Sequence, residues 1–235
     1  MPDKQRLREQ VWNRLDADGL ARFPFPPHGR IPNFSGASEA ASRAMELREL
    51  ESSAAVKANP DAPQLPLRRA LLRNGTTVYM AVPRLRKREC FVRLDPAELN
   101  DLDAAPTVSH MDEYGEHVEP ADVPELDAVV VGSVAVTESG ARIGKGEGYS
   151  DLEYGILCEL GLVDEDTPVV TTVHDTQVVD HAVETARHDV PMDVICTPTR
   201  TIRVDSGSEQ KPKGLFWDDL DEERIAEIPV LDELR

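Results

Sequence analysis

Alternating glycines between a predicted strand and a predicted helix are the residues in this chain best suited to chemistry. The run ARIGKGEGYSDLEYG, residues 141–155, sets Gly144, Gly146 and Gly148 around Lys145 and Glu147. Glycine lets the backbone turn sharply, so several N–H groups can converge on one concavity, which suits a phosphate. Lys145 adds a point charge there. Two known templates fail: the dinucleotide fingerprint needs its third glycine one residue later, and the P-loop pattern is absent. Asp151 follows at the start of the predicted helix, either as a cap or as a hard oxygen ligand. Lys4 and Arg8 share one face of a helix at i, i+4, which suits either solvent or an anion. Asp189 beside His188 is a loop hydrogen-bonder or a ligand. His174 and Asp175 close a strand, where parallel sheets present ligands or tie off turns. Arg30 and Asn33 stand in a turn-rich loop.

The elements that must position these residues can be read from periodicity and breakers. Leu7, Val11, Trp12 and Leu15 make an apolar face over Lys4–Leu20, capped from Asp3. FPFPPHGRIPNFSG, residues 23–36, has too many prolines and glycines for a regular element. Residues 37–51 predict a helix opened by Ser35 or Ser38, and Leu67–Arg73 a short one stopped at Asn74-Gly75. Strands are expected at Thr76–Val82, Leu126–Val136, Thr167–Val173 and Val194–Thr197. The second of these is apolar on both faces and should be central, carrying Val129 to Val131. Helices are expected at Asp151–Leu162 and around Val179–Arg187. The alternation predicts an α/β fold, a three-layer αβα sandwich with a largely parallel sheet, over residues 1–204. Residues 205–235 read as an acidic, loosely ordered tail with a short helix near Asp221.

Composition narrows the function classes. Against 26 basic residues stand 44 acidic ones, a net charge of −18 spread along all 235 residues. Such a surface repels phosphate backbones, so nucleic-acid and anionic-membrane binding are not expected, and it suits a salt-adapted proteome. No apolar run approaches a membrane span and the N-terminus lacks a secretory signal, so a cytoplasmic location is expected. The three cysteines, Cys90, Cys158 and Cys196, form no metal-ligand pair or disulfide framework. A monomer is expected.

The glycine run and its flanks resemble the 5-formyltetrahydrofolate cyclo-ligases (methenyltetrahydrofolate synthetases), a family of the wider NagB/RpiA/CoA-transferase-like fold group. That family's mark, a strand, a short hairpin and then R-x-G-x-G-x-G-Y-Y-D, is similar to VVVGSVAVTESGARIGKGEGYSD at 129–151. Its N-terminal K-x-x-L-R matches Lys4, Leu7 and Arg8, its later Gln matches Gln177, and its H-D matches His188-Asp189. The chain resembles most the synthetase domain-containing branch, through HGRIPNF (28–34), GKGEGYSDLEY (144–154) and VHD (173–175).

The resemblance implies an ATP- and Mg2+-dependent ring closure. ATP phosphorylates the formyl oxygen of 5-formyltetrahydrofolate, and N10 then closes the 5,10-methenyl ring with loss of phosphate. It implies that Lys4, Arg8, Gly144, Lys145, Gly146, Glu147, Gly148 and Tyr149 hold the nucleotide. Lys145 and Arg8 would act on the reacting groups, and Asp151 and Asp189 would hold Mg2+ directly or through water. The chain departs from the family at Ser150 and Leu152. It departs again at NPDAPQ (59–64), which offers Asp61 and Gln64 where the family's folate pocket has Glu and Thr. The alternative is a non-catalytic regulatory module that keeps the fold and a phosphate site. For a folate tail the densest basic patch is PRLRKR (83–88), with Arg84, Arg86, Lys87 and Arg88; the same cations could equally pair with surface acids.

Overall fold

The computed structural model describes residues 3–205 and 210–235. Helix α1 (Lys4–Ala17) starts at Asp3, whose carboxylate accepts from the Gln5 amide, and it buries Leu7, Val11, Trp12 and Leu15 as its spacing requires. The proline-rich loop is pinched at its base by two-residue strands β1 (Ala21–Arg22) and β2 (Asn33–Phe34). The helix expected over 37–51 is two helices, α2 (Ala37–Met45) and α3 (Arg48–Glu51), because Leu47 turns to extended backbone between them. Gly36, at φ 91°, occupies the cap position expected for Ser35 or Ser38.

Strand β3 (Ala55–Ala58) then enters the centre of the sheet, followed by α4 (Leu65–Arg73), β4 (Thr77–Ala81) and β5 (Phe91–Leu94). A short α5 (Met111–Tyr114) leads to β6 (Glu116–Val118) and then β7 (Ala128–Val131). The apolar run 126–136 is not one strand. It breaks at Gly132, and the chain leaves the sheet as a small hairpin, β8 (Ala135–Val136) with β9 (Arg142–Ile143). Helix α6 (Tyr149–Glu159) and strands β10 (Val169–Thr172), β11 (Val194–Cys196) and β12 (Thr201–Arg203) complete the layers.

The sheet order is β12-β11-β10-β7-β3-β4-β5-β6. The five strands from β11 to β4 run parallel, and the outer pairs β11–β12, β4–β5 and β5–β6 are antiparallel. Val129 pairs with Lys57 on one side and Val169 on the other, so Val129–Val131 is central as expected. Strands β3, β7 and β10 are buried along their whole length, as a parallel sheet covered by helices on both faces demands.

Two further expectations fail. No helix forms at 179–187, which is irregular, with a bend at 181 and a turn at 187. The tail is not loose over its described part, 210–235. Helices α7 (Glu222–Glu227) and α8 (Pro229–Leu234) place Ile225, Ile228, Val230 and Leu231 in the main core, and the burial of these four aliphatic side chains ties the segment to the domain. Asp221 does cap the expected helix, accepting from the Arg224 amide at 2.6 Å. Among the described residues no helix is long and apolar enough to cross a membrane.

Candidate functional site

A cavity of about 460 Å3 opens over the carboxyl ends of β3, β4 and β7, where parallel α/β sheets present ligands. Its walls include Arg8, Asp61, Gly132, Arg142, Lys145 and Tyr149. The glycine loop forms one wall. Gly146 (φ 105°) and Gly148 (φ 72°) both need the left-handed region, so alternation here serves backbone geometry. Gly148 also caps α6 without any side-chain acceptor, which leaves the first-turn N–H groups of an 11-residue helix beside the cavity.

Helix α1 delivers the cations. With its apolar face in the core, the turn carrying Lys4 and Arg8 lies against the loop. Arg8 Nε donates to the Gly144 carbonyl at 2.7 Å, and its guanidinium carbon would lie 3.3 Å from a Cβ at position 146. Burial, with Arg142 nearby, lowers the Arg8 pKa, although Asp3 and Asp189 oppose the shift. Lys4 instead pairs with Asp189 at 2.5 Å. Lys145 is more exposed and pairs with Glu147 at 2.8 Å.

The structure uses Asp151 differently from a cap. Arg142, 5% exposed, donates to Asp151 Oδ2 at 2.7 Å and to the Gly132 carbonyl at 2.9 Å. The other Asp151 oxygen accepts from the Val190 amide at 3.1 Å. Both oxygens are thus engaged by the protein, tying α6 to β9 and to the loop that carries Asp189. Burial alone would lower the Arg142 pKa; the Asp151 carboxylate outweighs it and the net shift is upward. Asp189 accepts from Lys4 and from the Ala186 amide at 2.8 Å. Among the described residues no group of three or more His, Cys, Asp or Glu side chains could hold a metal ion.

Asp61 lines the cavity, and Gln64 is fully buried beside it next to Gly132. A Cβ at Gly132 would lie 2.6 Å from Asp61 Oδ2 and 3.1 Å from Gln64 Oε1, so glycine at 132 permits these two side chains to pack close against the end of β7. Gln64 Oε1 is buried without a partner. Burial pushes the Asp61 pKa up, with Lys145 and Arg68 opposing. Arg68 holds this turn, donating to the carbonyls of Asn59, Pro60 and Asp61.

One functional group escapes the sequence reading. Lys57, fully buried in β3, pairs with Glu153 of α6 and donates to Asn59 Oδ1 at 2.5 Å. Asn59 in turn donates to Ser150 Oγ at 3.1 Å. A lysine inside the apolar run AVKA is the available signal, since a buried ammonium must be paired.

The other singled-out residues serve the frame. Asp175 accepts from Thr197 and Thr199, and His174 caps the turn it opens. Gln177 bridges that turn to the Ser133 and Val134 carbonyls. Asn33 donates to the Phe23 carbonyl, and the Arg30 carbonyl accepts from Trp12. The basic patch divides: Arg84, with backbone at φ 60°, lines the cavity, whereas Arg88 pairs with Glu233 at 2.5 Å and Arg86 stands 3.9 Å from Glu227.

The fold is that of the three-layer α/β proteins with a mostly parallel sheet, and its cavity lies over the carboxyl edge among arginine and lysine side chains. Within that class the assignment is narrower: the 5-formyltetrahydrofolate cyclo-ligase family profile matches residues 1–198, and the chain belongs to that family. It is similar to the methenyltetrahydrofolate synthase domain-containing proteins of Bos taurus, 43% identical over 237 residues, and Danio rerio, 42% identical over 236. Those matches cover 99% of this chain but 62% and 61% of the relatives, so the chain spans about three fifths of their length. The NMR structure of Aquifex aeolicus 5,10-methenyltetrahydrofolate synthetase shares the fold, with a TM-score of 0.54, 22% identity, and coverage of 87% of this chain and 94% of that one.

Proposed function

We propose that this chain is an ATP- and Mg2+-dependent 5-formyltetrahydrofolate cyclo-ligase, converting 5-formyltetrahydrofolate to 5,10-methenyltetrahydrofolate with release of ADP and phosphate. The observation that carries the reading is the seating of Arg8 on the glycine loop. Residues 136 positions apart meet there through the Arg8–Gly144 hydrogen bond, which supports a nucleotide site between helix α1 and the loop.

The residues present fit a nucleotide. A bare helix N-terminus, two left-handed glycines and the cations Arg8 and Lys145 face one cavity. Glu147 and Tyr149 border it, and Lys145 can exchange its exposed pairing with Glu147 for a phosphate. The donor set fits Mg2+ in the way usual for that ion, which keeps several waters and leans on substrate phosphates. Asp151 would hold it through water, because both its oxygens already serve Arg142 and the Val190 amide, whereas Asp189, whose Oδ2 takes Lys4 and the Ala186 amide, would hold it directly or through water. Mg·ATP would supply the activating phosphoryl group and neutralise its charge.

The chain's own contribution is positioning and charge. Arg8 and Lys145 would stabilise charge developing on the transferred phosphoryl, and Arg142 fixes Asp151 and the Gly132 carbonyl around them. The part of the cavity lined by Asp61, Gly132 and Arg84 would receive the reduced folate. Calorimetric titration tests the reading: Mg·ATP and 5-formyltetrahydrofolate should each bind, and Lys145→Ala should weaken Mg·ATP by about 1.5–3 kcal/mol while sparing the folate. Absence of Mg·ATP binding by the wild type would refute it.

A further inference from the structure

Residues 210–235 lie beyond the stretch matched by the family profile, yet they touch both loops that border the cavity. Arg224, in the first turn of α7, donates to the Glu147 carbonyl at 2.8 Å and lies over the Tyr149 ring, 4.0 Å from its centroid. This one side chain therefore holds the glycine loop and the first residue of α6 together. On the other side, Asp219 accepts two hydrogen bonds from Arg187, at 2.9 and 2.7 Å, and stands 3.6 Å from His188. Arg187 also lies over the Phe216 ring at 4.5 Å. The neighbouring residue is Asp189, the partner of Lys4.

The segment is fitted to α6 and does not merely rest on it. Gly155 stands inside that helix, where glycine costs about 1 kcal/mol relative to alanine. A Cβ there would lie 2.8 Å from Leu215, so the glycine permits the close approach of the strap. Glu159, one turn on, accepts from the Leu215 amide at 2.8 Å. Beyond Arg224, Ile225 and Ile228 are anchored in the core, which fixes where the guanidinium can reach.

We propose that residues 214–224 form a clasp that sets both walls of the phosphate site, with Arg224 the positioning residue for the glycine loop and Asp219 that for the loop at 187–189. The clasp acts through Glu147, Tyr149 and Arg187, so it holds the site in shape without touching substrate. This inference rests on the nucleotide reading of the cavity.

Amide hydrogen exchange and Mg·ATP calorimetry on the whole chain test it. Arg224→Ala should speed exchange at 144–149 by about tenfold or more and raise the Mg·ATP Kd about tenfold, the scale of one charge-assisted hydrogen bond and one cation–π contact. Exchange in β7 and β10 should stay at its wild-type rate, which verifies the fold. Arg224→Lys should recover most of the affinity. Gly155→Ala, which favours the helix but displaces Leu215, should loosen 144–149 in the same sense. Arg235→Ala, which breaks only an exposed pair with Glu222, should change neither reading. In turnover, the KM for ATP should rise with Arg224→Ala while that for 5-formyltetrahydrofolate stays. Unchanged exchange at 144–149, or faster exchange with unchanged affinity, would overturn the clasp. Wild-type protein that fails to bind Mg·ATP would refute the nucleotide reading, and the exchange data would still decide whether Arg224 holds the loop.

Discussion

Replacing Gly146 by alanine separates the loop's geometry from its charge. The position has φ 105°, where a non-glycine residue costs about 1–3 kcal/mol. Its new methyl would stand 3.3 Å from the Arg8 guanidinium carbon, which is itself tied to the Gly144 carbonyl at 2.7 Å. Two responses are open: Arg8 retreats and loses its bond, or the exposed loop rotates and turns its N–H groups off the cavity. Because the loop is exposed and contributes little to the core, relaxation should hold the stability loss near 1 kcal/mol, or about 2–4 °C in Tm for a chain of this size. Either response forfeits a charge-assisted hydrogen bond to phosphate, so the Mg·ATP Kd should rise at least about tenfold. Gly148→Ala is the internal comparison. It carries a similar left-handed strain at φ 72° but meets nothing within 4 Å, so its affinity loss should be the smaller. Calorimetry and a thermal melt on both variants suffice. Equal affinity for wild type and Gly146→Ala, or a larger loss for Gly148→Ala, would refute the assignment of this loop to the phosphates.

Asp151→Asn should lower stability by about 3 kcal/mol in denaturant unfolding, because it leaves the buried Arg142 without its counter-charge; an unchanged midpoint would show that the pair is not structural. Asp61→Asn should raise stability at neutral pH. Burial lifts the Asp61 pKa above 3.8, so its contribution is fully present below that value and is lost as pH rises through the native pKa; the variant's advantage should therefore shrink as pH falls toward 3.8, and a pH-independent difference would contradict it. Arg84→Ala should raise the KM for 5-formyltetrahydrofolate, whereas Arg86→Ala and Arg88→Ala, in exposed pairs with Glu227 and Glu233, should cost less than about 1 kcal/mol of stability and leave KM alone; equal KM effects would restore the undivided patch.

Much of the sheet could be read in advance because its strands are β-branched and continuous: Val129–Val131, Val169–Thr172 and Val194–Cys196 stand where the apolar runs lie. Strand β3 was hidden because it is only four residues long and carries Lys57, a charge that fits a buried strand only once Glu153 is seen to pair with the ammonium. Gly132 falls inside the expected strand, yet β7 ends just before it, and its lack of a Cβ answers the close approach of Asp61 and Gln64 from a different element. The glycine loop and Arg8 were legible from spacing and family motif, and the structure brings them together. Asp151 was legible as an acid near the loop but not as the partner of Arg142, nine residues earlier on the hairpin. A helix near Asp221 is legible, but the docking of the C-terminal segment is not, because its apolar residues, Ile225, Ile228, Val230 and Leu231, are too few and too closely surrounded by acids to announce a buried face. Only tertiary packing reveals that face.

The central claim is that the cavity closes the methenyl ring at the expense of ATP. Its most direct test is the rise in methenyltetrahydrofolate absorbance when the wild-type chain receives 5-formyltetrahydrofolate and Mg·ATP, followed beside phosphate release at low and at high salt. The account predicts turnover in which methenyl product and phosphate appear in equal amounts, requires both ATP and Mg2+, and falls at least about tenfold in kcat/KM with Arg8→Ala. No ring closure by the wild type at any salt concentration, or ring closure that is indifferent to ATP, would contradict it.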